Sequence, residues 1–175
     1  MKQVSLSFSL ATQADVPALI ELHCAVAADL TTRYGQGPWS SSPGAKMLAY
    51  QLSRTKFVRA LIARNKGRIV GTLKLATKKP WAIDVTYFSP AASPLYLTGM
   101  AVAPGLQRRG LGRRLLLEAQ RLAREWPSDA IRLDAFDADA GAAAFYAKCG
   151  YRDVGHVKYR GTPHVYFELL LGKKT

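Results

Sequence analysis

The sequence predicts one α/β domain, a mixed and mostly antiparallel central sheet flanked by helices on both faces. Three observations lead there. Two apolar runs, 57–63 and 68–76, are joined by Arg64-Asn65-Lys66-Gly67, which has the composition of a hairpin turn. The second half then alternates strand-like and helix-like periods over 95–102, 110–126, 130–136 and 139–149, the pattern of a strand–helix–strand unit. Two more β-rich segments, 151–159 and 164–171, close the chain.

Each element has its own signal. In Val4-Ser5-Leu6-Ser7-Phe8-Ser9-Leu10, serine alternates with large apolar residues, which marks a half-buried strand rather than a signal segment. Thr12 or Asp15 caps a helix whose apolar positions Val16, Leu19, Ile20, His23, Val26, Ala27 and Leu30 recur at helical spacing. Residues 31–45 hold three glycines, two prolines and three serines and read as a loop, followed by a short helix over 46–54. The segment 77–93, carrying Trp81, Asp84, Tyr87 and Phe88, reads as a second loop and as the lip of a substrate pocket. Leu111, Leu115, Ala119, Leu122 and Trp126 form the buried stripe of the helix over 110–126. With no internal repeat, residues 1–175 read as a single domain.

Composition sets the outer bounds. The chain has 175 residues, of which 49% are hydrophobic and 21% charged, enough for a full apolar core. That excludes a disordered tail, a collagenous repeat and a disulfide-knit miniprotein. With 25 Lys+Arg against 12 Asp+Glu, the net charge of +13 favours anionic partners: phosphorylated cofactors, nucleic acid, acidic substrates or an anionic surface. No apolar run approaches the roughly 18 residues of a membrane span, so a soluble protein with no membrane partner is expected. Cys24 and Cys149 belong to no CxxC pair and read as reduced thiols of a cytoplasmic protein. The three scattered histidines predict no metal site.

The most informative stretch runs from Met100 to Leu115. A strand ends at Val102, Pro104 bars its continuation, and a helix opens at Arg108-Arg109-Gly110-Leu111-Gly112. The first turn of a helix leaves four backbone N–H groups without partners and carries partial positive charge. Side chains normally cap those donors, but here glycines leave the amides open while Arg108, Arg109, Arg113 and Arg114 add charge. This is the makeup of a polyphosphate cradle; the bland alternative is a tightly packed turn ringed by solvated arginines. A P-loop fails because Leu111, not Lys, follows Gly110. A dinucleotide site remains a rival, with Asp134 placed to imitate the ribose-binding acid, although Leu115 stands where a third glycine belongs.

At these residues the sequence resembles the GNAT acetyltransferase superfamily. The family pattern is a strand ending in Leu/Met-x-Val, a Pro, then Gln/Arg-x-x-Gly-x-Gly/Ala; here Met100-Ala101-Val102, Pro104 and Gln107-Arg108-Arg109-Gly110-Leu111-Gly112 match it. A second family motif, Asn-x-x-Ala-x-x-Phe-Tyr-x-x-x-Gly-Phe, is met by Asp139 through Tyr151, with Asp for Asn at 139 and Tyr for Phe at 151. The resemblance implies a GNAT-type fold over the whole chain, an acetyl-CoA-binding core at about 95–155, and direct acetyl transfer from acetyl-CoA to a primary amine of a small molecule or peptide. It also implies that backbone groups of Met100 and Val102 pair with the pantetheine arm, while the amides from Arg108 to Arg113 hold the pyrophosphate. Gln107, Arg109, Gly110, Leu111, Gly112, Asp139 and Tyr146 complete the implied cofactor set.

Transfer to an amine requires a neutral nucleophile, although an amine pKa of about 10 keeps it protonated near pH 7. It also requires a polarised thioester carbonyl, for which a backbone N–H near Met100–Val102 is the candidate donor. Tyr146 matches the family tyrosine that serves the leaving thiolate as an acid; the alternative for Tyr146 is a core aromatic beside Phe145. The general base stays open among Asp134, Asp137, Asp84, Tyr96, Glu21 and His23. Strand alternation suggests that Arg132 neutralises Asp134, and His23 sits on an apolar stripe, as a core histidine would. The acceptor is expected between the loop holding Tyr34 and Trp39 and the loop holding Trp81 to Phe88. A non-catalytic CoA- or nucleic-acid-binding regulatory module on the same fold is the competing reading. Nucleic acid is the weaker of those partners, because no aromatic-interleaved basic stripe stands out. The resemblance leaves room for a homodimer.

Overall fold

Seven strands form one sheet in the order β1-β2-β3-β4-β5-β7-β6. In this computed structural model, which describes residues 5–172, the strands are β1 (Ser7–Leu10), β2 (Val58–Asn65), β3 (Arg68–Ala76), β4 (Pro94–Val102), β5 (Ala130–Phe136), β6 (Arg152–Tyr159) and β7 (Thr162–Leu170). Every neighbouring pair is antiparallel except β4 and β5, which run parallel. The predicted mixed, mostly antiparallel sheet is the observed one. Both hairpins turn on a left-handed pair, Lys66-Gly67 between β2 and β3 and Arg160-Gly161 between β6 and β7. Two positive φ values in a two-residue loop match the twist of the flanking strands.

Helices cover both faces. Alternation along β2 sends Leu61 and Ala63 to one side and Ala60 and Ile62 to the other. The first side packs beneath α3 (Leu111–Glu125), whose Leu115, Ala119 and Ala123 are fully buried, and beneath Tyr146 of α4 (Ala143–Lys148). The second side lies under α1 (Val16–Tyr34) and α2 (Ala45–Ser53), through Leu19, Leu48 and Leu52. Gly71 on β3 lets α3 come close, since a Cβ there would stand 2.7 Å from Leu111 Cδ2 and 2.8 Å from Leu115 Cδ1. No helix among the described residues is long and apolar enough to cross a membrane.

Three expectations shift. Val4 lies outside the described residues, and the first strand begins at Ser7. The helix α1 runs on through Thr31 and Thr32, whose hydroxyls bond back to the carbonyls of Ala27 and Ala28, and stops only where Gly35 turns with φ +79°. The helix expected over 139–149 shrinks to Ala143–Lys148. Its first residues instead make a tight turn, Gly141 N–H to Ala138 C=O at 2.8 Å, folded so closely on β5 that a Cβ on Gly141 would sit 1.9 Å from the Phe136 carbonyl oxygen.

Candidate active site

The site begins where two parallel strands part. β4 pairs with β5 only from Pro94 to Tyr96, against Ala130 to Arg132. On its other side β4 stays paired to β3, but with a bulge: Lys74 opposes Thr98 and Thr72 opposes Ala101, so Gly99 and Met100 together face Leu73. Gly99 has φ +60°, a conformation that suits a residue without a Cβ. The bulge bends β4 away from β5 and opens a cleft through the middle of the sheet.

One half of the cleft is a cavity of about 610 Å³ bounded by β4, the start of α3 and the start of α4. Gly110 is the N-cap of α3, at φ +79°, with nothing within 4 Å of where a Cβ would be, and no side chain caps the helix. Arg108 is also left-handed, at φ +59°. The amides opening α3 thus have no side-chain partner, as the anion-cradle argument requires. Met100, Val102, Gln107, Arg108, Gly110, Gly112, Arg113, Asp139 and Tyr146, all expected there, line this cavity.

Arg109 is exposed and Leu111 is a core side chain, so neither side chain reaches the cavity; Leu111 has only its amide to offer. Arg114 turns away to stack on Phe8, 5.3 Å from the ring centre. Gln107 is fixed by a 3.1 Å bond from its Nε2 to the Val102 carbonyl. Gly112 serves packing more than access, because a Cβ there would stand 3.0 Å from Phe145 Cζ.

The other half is a cavity of about 400 Å³ toward α1 and the loop after it. Met100 and Tyr146 belong to both cavities. Tyr146 is buried among Phe145, Tyr151 and Phe167, and its hydroxyl donates to Met100 Sδ at 3.4 Å. Burial first, then the negative charge of Asp134, pushes its phenol well above the usual tyrosine range. The residue is therefore a neutral donor at any physiological pH.

The second cavity holds the ionisable groups. Asp134 reaches it from β5, its Oδ2 2.7 Å from Nδ1 of buried His164. His23 enters from α1 and Lys74 from β3, next to Gly99. Burial, then the neighbouring Lys74 cation, brings the His23 pKa down to about 4, so the ring is neutral. Burial also lowers Lys74, whose Nζ donates to Gln51 Oε1 at 2.7 Å. Trp39 and Phe136 close the far wall edge to face, with ring centres 6.1 Å apart.

Several readings change here. Arg132 does not pair with Asp134; it lies 3.4 Å from the wholly buried Glu168 carboxylate, because antiparallel register sets Glu168 opposite Arg132, while Asp134, opposite Tyr166, meets the diagonal neighbour His164. The loop 77–93 is not the lip of this cavity. Its Ile83 and Phe88 pack on Tyr96 and Tyr166, and Tyr87 lies against Gly155, since the exposed faces of β5, β7 and β6 need their own cover. Asp84 caps a turn through Thr86, Asp137 bonds exposed His156, Tyr96 is core, and Glu21 is exposed on α1. Trp39 is placed as expected, whereas Tyr34 lines the cofactor-side cavity. Lys74 carried no signal of its own in the sequence; only the hairpin register with β4 could have brought it to the site. Among the described residues no group of three or more His, Cys, Asp or Glu side chains is placed to hold a metal ion.

A sheet opened between its two parallel strands, with an uncapped glycine-led helix at the opening, agrees with the GNAT-type fold that the sequence resemblance implies. Residues 25–151 match the Acetyltransferase (GNAT) family, and the chain belongs to that family. It is 30% identical over 103 residues to GCN5-related N-acetyltransferase 4, chloroplastic, of Arabidopsis thaliana, a match covering 54% of this chain and 33% of that one. The matched region is thus about a third of that relative's length. Among solved structures it is similar to the PaiA N-acetyltransferase of Thermoplasma acidophilum in complex with coenzyme A, with TM-score 0.74, 17% identity, and 94% and 98% of the two chains covered. It is also similar to the ribosomal-protein-S18-alanine N-acetyltransferase of Escherichia coli, with TM-score 0.71, 16% identity, and 98% and 97% covered. Both likenesses are of fold.

Proposed function

We propose that this protein is an acetyl-CoA-dependent N-acetyltransferase that moves the acetyl group directly to an amine, with the whole chain as the catalytic unit and 95–155 as its cofactor-binding core. The observation that carries this reading is the meeting of two cavities at Met100 and Tyr146, one rimmed by open amides and arginines, the other holding titratable side chains. A PaiA N-acetyltransferase of similar fold in complex with coenzyme A supports coenzyme A as the ligand.

In this reading, the amides from Arg108 to Arg113 receive the diphosphate, with Arg108 and Arg113 adding charge. The edge of β4 released by β5, around Met100 and Val102, hydrogen-bonds the pantetheine arm as an added strand. The amine enters on the Asp134 side, where the carboxylate attracts its cationic form. Loss of one proton to bulk water exposes the nitrogen lone pair, which attacks the thioester carbon. The C–N bond forms and the C–S bond breaks. A second proton passes from the nitrogen to Asp134 as that bond forms. A backbone N–H of the β4 bulge stabilises the oxyanion, and the Tyr146 hydroxyl, already donating to one sulfur, hydrogen-bonds the departing thiolate.

Calorimetric titration with acetyl-CoA, followed by a thiol-release assay over a panel of amines, tests the proposal. Binding in the micromolar range and amine-dependent thiol release are expected. Binding without turnover for every amine would favour the regulatory CoA-binding module, and absence of binding would remove both readings.

A further inference from the structure

Resting on the transferase reading above, we propose that the acceptor is an amino acid: the amine to be acetylated carries a carboxylate a short spacer away and an apolar or aromatic side chain. Two opposite charges in one cavity support this. Lys74 on β3 lies opposite Thr98 of β4. Asp134 lies on β5 just beyond Arg132, the last residue paired to β4, where the two strands have parted. The cation and the carboxylate therefore flank β4, two strands apart, and both line the same cavity.

An α-amino acid carries both complementary charges on one small molecule, each able to make a charge-assisted hydrogen bond of about 2.8 Å. The amine end belongs with Asp134, whose charge is felt by Tyr146 at the junction with the cofactor cavity. The carboxylate end then falls to Lys74.

Lys74 is built for such a partner. Its ammonium is half-buried and donates to a neutral amide oxygen, Gln51 Oε1, while two of its three donors remain for a ligand. A cation drawn out of water without a counter-ion is destabilised, which is why burial lowers its pKa, and a ligand carboxylate removes that penalty. The neutral His23 ring beside it adds a further polar contact without adding charge. Gly99 keeps the path of the lysine clear, since a Cβ there would stand 3.0 Å from Lys74 Cε. A diamine or other polycation would instead bring like charge against Lys74. Trp39, Phe136, Val26 and Leu30 leave the remaining wall apolar, suited to a hydrophobic side chain.

The test compares phenylalanine, leucine, methionine and tryptophan with their amides as acceptors for the wild type, Lys74→Met and Lys74→Arg, using thiol release, with acetyl-CoA affinity measured in parallel. The wild type should favour at least one acid over its amide by tenfold or more in kcat/KM. Lys74→Met should bring that ratio near one while leaving acetyl-CoA affinity within twofold, and Lys74→Arg should retain most of it. Equal use of acid and amide, preference for the amide, or a ratio that survives in Lys74→Met would overturn the inference. So would no turnover of any of the four acids by protein that binds acetyl-CoA normally. Failure to bind acetyl-CoA would strike the transferase reading instead, which keeps the two failures apart.

Discussion

The Tyr146 hydroxyl lies 3.4 Å from the Met100 sulfur and donates to it at the seam between the two cavities. The contact ties α4 to β4 across the cleft, and it shows that this phenol can serve a sulfur acceptor from a site that holds it neutral.

Tyr146→Phe therefore keeps the ring packing and removes only the donor. Turnover should fall by roughly 100-fold, the low end of what a positioned acid contributes. Acetyl-CoA affinity should stay within twofold, and stability within about 1 kcal/mol, as expected for one weak hydrogen bond. Steady-state kinetics beside calorimetry decides it; unaltered turnover with active acceptors would return Tyr146 to a packing role.

At Gly110 the relevant fact is open space combined with φ +79°. Aspartate tolerates the left-handed region better than most residues, so Gly110→Asp should fold. Its carboxylate would occupy the mouth of α3 and repel a diphosphate. Acetyl-CoA binding should weaken tenfold or more, with a melting temperature within a few degrees of wild type; unchanged affinity would remove the cradle.

The turn before α4 offers a contrasting case. A methyl group on Gly141 would collide with the Phe136 carbonyl oxygen, backbone against backbone, with no flexible side chain to yield. Gly141→Ala should destabilise the fold by about 1–3 kcal/mol, the usual range for overpacking. It should also weaken ligand binding, because this turn walls both cavities. Chemical denaturation and calorimetry measure the two effects separately.

His23 gives the fold an acid sensitivity of definite sign. Its folded-state pKa of about 4 lies below the free value of 6.5, so the unfolded chain takes up the proton first as pH falls. Stability present above pH 6.5 is lost between about 6.5 and 4, to a total of about 3 kcal/mol. In His23→Gln the gap between urea unfolding free energies at pH 7 and pH 4.5 should shrink accordingly. An unchanged gap would show that folding leaves the ring's pKa where it is in the free chain.

Much of this was legible in the residues. The hairpin followed from Asn65-Lys66-Gly67 between apolar runs, and the start of α3 from glycines flanked by arginines, because turn chemistry and helix-end electrostatics are local. What stayed hidden depends on register. Nothing near Lys74 in sequence indicates that it reaches the cavity, and nothing near Asp134 indicates that its partner is His164 rather than Arg132; both facts arise from which strand lies alongside and at what offset. The aromatic loop 77–93 misled for a related reason. Its composition suits a pocket rim and a sheet cover equally well, and only the layer arrangement, with α1 and α2 occupying the β1–β4 half, leaves the other half for it to shield.

The parting of β4 from β5 has a mechanical consequence. Four strands stand on one side of the gap and three on the other, zipped together only from Pro94 to Tyr96. A molecule laid along the gap would act as a rivet between two half-sheets, so amide protons on both banks should exchange more slowly once it is seated. Each bank is also an unpaired rim turned inward, where it is screened from the intermolecular strand pairing that exposed rims invite.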